Sequence, residues 1–214
     1  MMKYISIIAM MILTVGIQAQ DKKATKVLDK LSEKYGSVAS VAIDFNLTVD
    51  YPEQEPVTMA SSVIQSGERW VFKNEQQELY NDGEAIWMFL PDRNEVQIND
   101  YEGEGEDEEG YFVSPLGILK QYKGDTYEYR ISAKDGWHTE IEFKPNDEFS
   151  DYAKFRLSID TKKNEITEVV AFGKDGSKAT IVITDVNLSP QISDQLFIFD
   201  VSKYPDVIVE DLRM

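Results

Sequence analysis

The most regular hydrophobic pattern of the chain lies between residues 63 and 99, where short apolar runs alternate with turn residues. The turn clusters at residues 66–67, 81–83 and 91–94 are rich in Gly, Asn, Asp and Pro, which favour tight turns. The runs between them are too short for helices, so the segment predicts a β-meander. Residues 85–90 (AIWMFL) do not alternate with polar residues, and we therefore expect both faces of that strand to be covered.

Two helices are predicted outside this meander. Residues 21–36 place apolar side chains at spacings of three and four among lysines and acidic residues, which indicates an amphipathic helix that ends at Gly36. Ser114 followed by Pro115 is a typical helix start. The short helix predicted from there to Tyr122 is apolar around most of its circumference, so it needs cover on more than one side.

The remaining segments favour strands. Residues 41–50 alternate apolar and polar side chains, residues 57–63 begin a second strand, and residues 207–212 form a short last one. Turn residues separate five more strands after the second helix, at residues 127–133, 138–144, 154–160, 166–172 and 179–188. The pattern predicts a mainly β (α+β) domain over residues 20–214, with about 10–11 antiparallel strands curling toward a barrel and the helices across its concave face.

The N-terminus has the pattern of an export signal. Lys3 precedes an apolar run over residues 4–17 that is short for a membrane span, and Ala19 offers a small cleavage residue. We interpret residues 1–19 as a cleaved signal peptide, with a retained membrane anchor as the alternative. The mature protein is then expected to be soluble outside the cytoplasm.

Composition excludes several functions. The chain has no cysteine, so it has no disulfide, no thiol chemistry and no acceptor for a lipid-modified N-terminus. Its net charge of −17 argues against nucleic-acid binding and against electrostatic docking on an anionic membrane. The only histidine, His138, lies in a predicted strand without a nucleophile motif, so we expect no catalytic triad and no enzyme.

A segment near the middle is strongly acidic. Residues 101–110 (YEGEGEDEEG) contain six acidic residues and three glycines, which is typical of a solvated loop. Calcium binding is the alternative, but the ligand spacing of a known calcium loop is absent. No metal pattern and no phosphate-binding glycine loop is present in the sequence, so we expect no cofactor.

Several short motifs follow one another along the chain in a recognisable order. Gly67 stands before an aromatic-rich strand, a turn follows at residues 81–83, and the next apolar strand ends in Pro91. Further motifs lie at residues 94–98, at the Ser114-Pro115 helix, at residues 174–177, and at residues 197–200. In this order the motifs resemble the outer-membrane lipoprotein carrier (LolA) family over essentially the whole mature chain.

The resemblance implies an unclosed β-barrel in which the helices form a lid over an apolar cavity. Such carriers are monomers that take a triacylated lipoprotein from an inner-membrane ABC transporter, shield its acyl chains across the periplasm, and deliver it to an outer-membrane acceptor. They perform no covalent chemistry. The acceptor of the family is itself lipid-anchored, so a chain without cysteine is similar to the soluble carrier instead.

The candidate cavity residues are large apolar side chains of the strands and of the second helix, although a one-residue bulge would exchange the two faces of a strand. They are Phe45, Leu47, Trp70, Phe72, Trp87, Phe89, Leu116, Ile118 and Leu119. The resemblance also implies an arginine that latches the lid, and Arg69 is the nearest candidate, although Trp70 and not proline follows it.

Three alternatives stay open at the sequence level. The apolar side chains could simply fill a core instead of lining a cavity. The cargo could be a glycolipid or another single lipid. The protein could instead be a non-catalytic interaction module that binds a cationic partner with its acidic loop at residues 102–109.

Overall fold

A computed structural model describes residues 21–101 and 115–213. Two α-helices lie in this part of the chain, α1 (Lys22–Gly36) and α2 (Pro115–Gln121). The strands are β1 (Val41–Asp50), β2 (Val57–Ser66), β3 (Arg69–Lys73), β4 (Glu78–Asn81), β5 (Ala85–Leu90), β6 (Glu95–Asp100), β7 (Tyr127–Asp135), β8 (His138–Pro145), β9 (Tyr152–Asp160), β10 (Glu165–Gly173), β11 (Lys178–Leu188) and β12 (Ile208–Asp211).

All twelve strands of the described residues form one curled sheet in the order β12-β6-β5-β4-β3-β2-β1-β11-β10-β9-β8-β7. Two antiparallel meanders, β1 to β6 and β7 to β11, meet where β1 pairs with β11. The sheet is not closed, because β12 and β7 lie at its two ends. The predicted unclosed β-barrel is therefore confirmed. The sequence did not indicate that β12 pairs parallel with β6, after the chain returns from the middle of the sheet.

The predicted turns hold the first meander in register. Gly67 and Gly83 have φ angles of 62° and 95°, and Asn94 has a φ of 46°. These angles lie in the left-handed region, which glycine and asparagine adopt more readily than other residues. The tight reversals keep β2 to β6 adjacent in space.

Helix α1 forms because its sequence supplies a cap and one apolar stripe. The Asp21 side chain accepts hydrogen bonds from the first backbone amides, at 2.8 Å from Lys23 and 3.4 Å from Ala24. The stripe buries Ala24, Leu28, Leu31 and Tyr35 against the sheet. The lysines of α1 lie on the other sides of the helix.

The sheet carries a hydrophobic cluster on each face. The helix-side cluster joins α1 and α2 to one face of the strands, and Phe45, Phe72 and Phe155 are among its fully buried members. The opposite cluster lies on the other face of β3 to β6. It comprises Val71, Tyr80, Phe89, Val96, Phe197 and Phe199, with Trp87, Ile192, Leu196, Tyr204 and Val207 packed against them.

Some predictions fall on other parts of the chain. The signal peptide at residues 1–19, the acidic loop at residues 102–109 and the helix cap at Ser114 lie outside the described residues. Within residues 21–101 and 115–213, no helix combines the length and the hydrophobicity that a membrane span requires.

Candidate functional site: an apolar cavity under the helices

The candidate site is a cavity of about 470 Å³ between the helices and one end of the sheet, partly open to solvent. The last turn of α1, helix α2, the start of β1 and the β2–β3 turn enclose it, and its surface is mostly apolar. The lining residues are Ser32, Tyr35, Gly36, Val38, Ala39, Ser40, Val41, Gln65, Gly67, Glu68, Leu116, Leu119, Lys120 and Lys123.

Polar contacts attach the N-terminal end of α1 to the sheet. The Asp21 carboxylate accepts a third hydrogen bond, from the backbone amide of Ile131 on β7 at 3.2 Å. This bond is the main reason that the pKa of Asp21 lies below its ordinary value. One turn later, the hydroxyls of Thr25 and Tyr129 are 3.1 Å apart. The start of the helix is thus fixed to the edge strand.

A second set of contacts joins α1 to α2 beside the cavity. The Tyr122 hydroxyl donates a hydrogen bond of 2.6 Å to the Asp29 carboxylate, and the Lys123 ammonium lies 3.3 Å from the same oxygen. The hydrogen bond from Tyr122 lowers the pKa of Asp29, and Lys123 contributes in the same direction. Burial, followed by this hydrogen bond, raises the pKa of Tyr122. We call this set the Asp29–Tyr122 link.

The C-terminal end of α1 is held by the β9–β10 turn. The Lys34 ammonium pairs with Glu165 at 2.9 Å, and the Asn164 side-chain amide donates to the backbone carbonyl of Lys30, also at 2.9 Å. All three attachments of α1 are polar and partly exposed. When such a contact breaks, water takes the place of the lost partner, so the cost in free energy is small. Contacts within a buried apolar core have no such replacement.

Seven of the nine predicted cavity residues lie in or against the helix-side cluster. They are Phe45, Leu47, Trp70, Phe72, Leu116, Ile118 and Leu119. Only Leu116 and Leu119 line the cavity itself. The others pack beneath it; for example, the rings of Phe45 and Phe72 lie 6.3 Å apart.

The structure does not bring Trp87 and Phe89 to the helix side. Strand β5 alternates, so that Ile86 and Met88 contact the helix-side cluster while Trp87 and Phe89 belong to the opposite cluster. Both faces of β5 are covered, as its unbroken apolar run predicts. The helix-side cluster covers one face, and the segment that contains Phe199 covers the other. The aromatic ring of Phe199 covers Trp87 and Phe89, with ring centroids 6.1 and 5.2 Å away.

Arg69, the candidate latch, contacts the C-terminal segment. Its guanidinium pairs with Asp194 at 2.7 Å and lies over the ring of Phe197, 4.8 Å from the centroid. Both partners belong to the short 3₁₀ turn Asp194–Phe197, which lies on the opposite face of the sheet from the helices. The Asp29–Tyr122 link, in contrast, lies on the helix side, where it joins α1 to the residue that follows α2.

Twelve of the fourteen lining residues were not among the predicted cavity residues, and six of these twelve lie in connections between regular elements. Val38, Ala39 and Ser40 lie in the connection from α1 to β1, and Gly67 and Glu68 form the β2–β3 turn. The one available signal was the predicted end of the first helix at Gly36, which places a chain reversal beside the concave face. Small residues such as Ala39 at that reversal leave the space open.

The rim of the cavity carries charge, but the described residues offer no metal site. Lys120, Lys123 and Glu68 are the charged side chains in the lining. No cluster of three potential metal ligands lies within residues 21–101 and 115–213. His138 lies in the sheet, half-exposed, with its imidazole 3.4 Å from Glu140.

Solved structures of other proteins are similar to this chain. A structure described as an uncharacterized conserved protein from Thermus thermophilus has a TM-score of 0.56, with 11% identity over 89% of this chain and 99% of that chain. A LolA superfamily protein from Nitrosomonas europaea has a TM-score of 0.43, with 12% identity over 82% of this chain and 97% of that chain. No curated protein sequence matches this chain.

The family itself is shown by the sequence. Residues 68–200, more than half of the chain, match the family described as outer membrane lipoprotein carrier protein LolA. The matched range runs from the β2–β3 turn to the Phe199 segment and includes α2, so it contains residues of both clusters and of the cavity. The chain therefore belongs to the family of the outer membrane lipoprotein carrier protein LolA.

Proposed function

We propose that this protein carries the acyl chains of lipoproteins across the periplasm. It receives them from an inner-membrane ABC lipoprotein-releasing transporter and gives them to an outer-membrane acceptor. Membership of the LolA family and the mostly apolar cavity beneath α1 and α2 support this proposal. The cavity is the observation that carries it, because a filled core would leave no place for an acyl chain.

The energetics of the site suit a reversible carrier. Each methylene group removed from water contributes about 0.8 kcal/mol, so one acyl chain provides a large driving force for binding. Release then requires the helices to move. The polar contacts that hold α1 can exchange with water, whereas the apolar stripe at Leu28 and Leu31 can repack on the cargo. A hand-over to an acceptor can therefore open the cavity without unfolding the sheet.

The volume of the cavity limits the number of acyl chains that it can hold. Small-molecule sites commonly measure about 300–1,000 Å³, so the cavity of about 470 Å³ is of ligand size as it stands. A lipoprotein with several acyl chains requires α1 and α2 to separate further from the sheet. The same volume favours the second candidate, a carrier of a glycolipid or another single lipid, which would fit with less movement.

Binding and release need no bond chemistry, so we propose a non-enzymatic role without a cofactor. We place the protein outside the cytoplasm as a monomer, after removal of residues 1–19. The interaction-module alternative depends on the acidic loop at residues 102–109, and it remains a separate prediction. Deletion of that loop would weaken partner binding but not lipid uptake if the alternative holds.

The direct test is mass spectrometry of lipids and lipopeptides that co-purify with the mature protein from its native compartment. The matched variants are Ala39→Trp, which puts an indole at the cavity, and Ala60→Trp, which puts the same indole on an exposed strand position away from it. We expect acylated peptides on the wild type and on Ala60→Trp, and a loss of at least about tenfold on Ala39→Trp.

Other outcomes separate the candidates. A single free lipid or glycolipid in place of acylated peptide would replace the lipoprotein cargo with the second candidate. If nothing apolar co-purifies and a solvatochromic fatty probe does not bind either, carriage is wrong and the interaction module becomes the better explanation.

A further inference from the structure

Charge is distributed unevenly over this acidic protein. The whole chain has a net charge of −17, yet α1 alone carries five lysines against Asp29 and Glu33. The two sides of the helix differ. Asp29 faces the residue that follows α2, whereas Lys34 faces the β9–β10 turn. Lys26 and Lys30, one turn apart, are exposed on the side that includes Lys34.

The β9–β10 turn continues this basic side onto the sheet. Lys162 and Lys163 are both exposed in that turn, and the adjacent Asn164 binds the carbonyl of Lys30 at 2.9 Å. The neighbouring β7–β8 turn carries Trp137. Its backbone carbonyl accepts hydrogen bonds of 2.8 Å from both the amide and the hydroxyl of Thr161.

We group five exposed residues of α1 and of these two turns as the lysine–tryptophan rim: Lys26, Lys30, Lys162, Lys163 and Trp137. Trp137 is 63% exposed, so much of its large ring contacts water, which is unfavourable for an apolar group. Trp70 is buried and Trp87 half-buried, so Trp137 is the tryptophan of the described residues that faces solvent.

The cations of the rim are available to a partner. Within residues 21–101 and 115–213, the four rim lysines form no ion pair. Two nearby carboxylates already have lysine partners: Asp29 pairs with Lys123, and Glu165 pairs with Lys34. Glu33, Asp135 and Asp160 are further acidic neighbours in sequence, and the four rim lysines outnumber these three.

The rim lies at the same end of the sheet as the cavity. The register pairs His138 with Asp160 and Glu165 with Asp160, which places the β7–β8 and β9–β10 turns side by side. The last turn of α1 contacts the β9–β10 turn through Lys34 and lines the cavity through Tyr35 and Gly36. A surface that contacts the rim would therefore be near the cavity opening.

We propose that the lysine–tryptophan rim docks on an anionic phospholipid surface and holds the cavity opening close to the bilayer. Lysines attract anionic head groups within about a Debye length, roughly 8 Å at physiological salt. Tryptophan rings favour the interfacial region, where one end is apolar and the other hydrated. This local basic surface overrides the repulsion expected from the net charge, because exposed charges farther away are screened.

A membrane fits these observations better than an acidic protein does. The rim is spread over a helix and two turns, and an exposed indole together with exposed lysines suits a soft interface. Only the biological purpose of this docking rests on the proposed function, because a carrier of acyl chains meets a bilayer at both ends of its path. Vesicle binding itself requires no cargo.

The test is co-sedimentation of delipidated mature protein with vesicles of phosphatidylcholine, with and without phosphatidylglycerol, at low and high salt. We expect binding only to the anionic vesicles, weakened by salt, with a blue shift of tryptophan fluorescence. Each lysine near an anionic surface contributes about 1 kcal/mol, roughly fivefold, so Lys162→Gln/Lys163→Gln should weaken binding by at least about tenfold. Trp137→Ala should remove the blue shift.

The matched control is Lys144→Gln/Lys203→Gln, which removes the same charge at exposed lysines outside the rim. It should bind like the wild type. Absence of binding to anionic vesicles, or an equal loss in the control, overturns the proposal. Binding to polyglutamate but not to vesicles would also overturn it and assign the rim to an acidic protein. Because the protein is delipidated, failure here leaves the co-purification test of carriage unaffected.

Discussion

The two faces of the sheet are covered in different ways. On one face, α1 and α2 rest on an apolar cluster, are attached by polar contacts at their ends and sides, and leave a cavity of about 470 Å³. On the other face, the segment after β11 seals the strands with stacked aromatic rings. Phe199 lies within 4.8–6.1 Å of four rings, those of Tyr80, Trp87, Phe89 and Tyr204.

The difference assigns a role to each face. Water cannot replace the contacts between packed aromatic rings. We therefore expect the opposite cluster to hold the curvature of the sheet. The helix layer also rests on buried apolar side chains, but the contacts that attach its ends and sides are polar, and water can replace them. We therefore expect the helix layer to be the part that moves over a ligand. We call the side of the sheet under the opposite cluster the fixed face and the helix side the movable face.

The largest expected effect is on the fixed face. Phe199→Ala removes a ring that is 4% exposed and leaves a hole among its four aromatic neighbours. We expect the free energy of unfolding in urea to fall by about 3–5 kcal/mol, as for other buried phenylalanines. Phe149→Ala is the matched control, since Phe149 is 93% exposed and its loss should change stability by less than about 0.5 kcal/mol.

Lipid binding sharpens the same test. The Phe199→Ala protein that remains folded should take up a fatty probe as the wild type does, because the ring lies away from the cavity. If Phe199→Ala left stability unchanged, or abolished probe uptake at a temperature where the protein is folded, the assignment of a purely supporting role to this face would be wrong.

An intermediate effect is expected on the movable face. Tyr122→Phe deletes the hydroxyl that binds Asp29 and keeps the buried ring. We expect a smaller loss of stability than in Phe199→Ala, together with faster uptake of a fluorescent fatty acid in stopped-flow measurements, because α1 and α2 separate more readily. Tyr51→Phe removes a hydroxyl from a half-exposed ring in the β1–β2 connection and should leave uptake unchanged.

A result in the opposite direction would be informative. Slower uptake in Tyr122→Phe, with unchanged stability, would mean that the Asp29–Tyr122 link shapes the open cavity instead of closing it. In that case the restraint on the helices would lie elsewhere, at the contacts of Asp21 and Thr25 with β7.

The fold was largely predictable from the sequence because local signals set it. Glycines and asparagines at turns such as Gly67, Gly83 and Asn94 adopt the φ angles that their positions require, and the apolar stripe of α1 is buried as its spacing predicts. The parallel pairing of β12 with β6 was not predictable, since a local pattern does not specify which distant strand a chain end will join.

The cavity was predicted only in outline. Period-two alternation divides β5 into two faces, but the sequence does not say which face meets the helices, so Trp87 and Phe89 were grouped with Trp70 and Phe72. The lining residues at the α1–β1 connection carry no pattern at all. They are close to α2 because of tertiary packing, which a single sequence does not reveal.

The smallest expected effect concerns Arg69, which belongs to the fixed face in this structure. Its partner Asp194 is 84% exposed, and exposed ion pairs contribute about 0–1 kcal/mol, with a similar amount from the contact with the Phe197 ring. We expect Arg69→Leu to lower the free energy of unfolding by about 1 kcal/mol and to leave probe uptake and release unchanged. Asp194→Asn, which removes only the charge of the partner, should lower stability by less.

Uptake kinetics of these two variants decide between the roles of Arg69. A lid latch would make uptake or release in Arg69→Leu differ from the wild type by more than in Tyr122→Phe, although the Arg69 guanidinium pairs with Asp194 of the C-terminal segment. Unchanged kinetics with a small loss of stability would instead place Arg69 with Phe199, as part of the packing that keeps the sheet curved while the helices move.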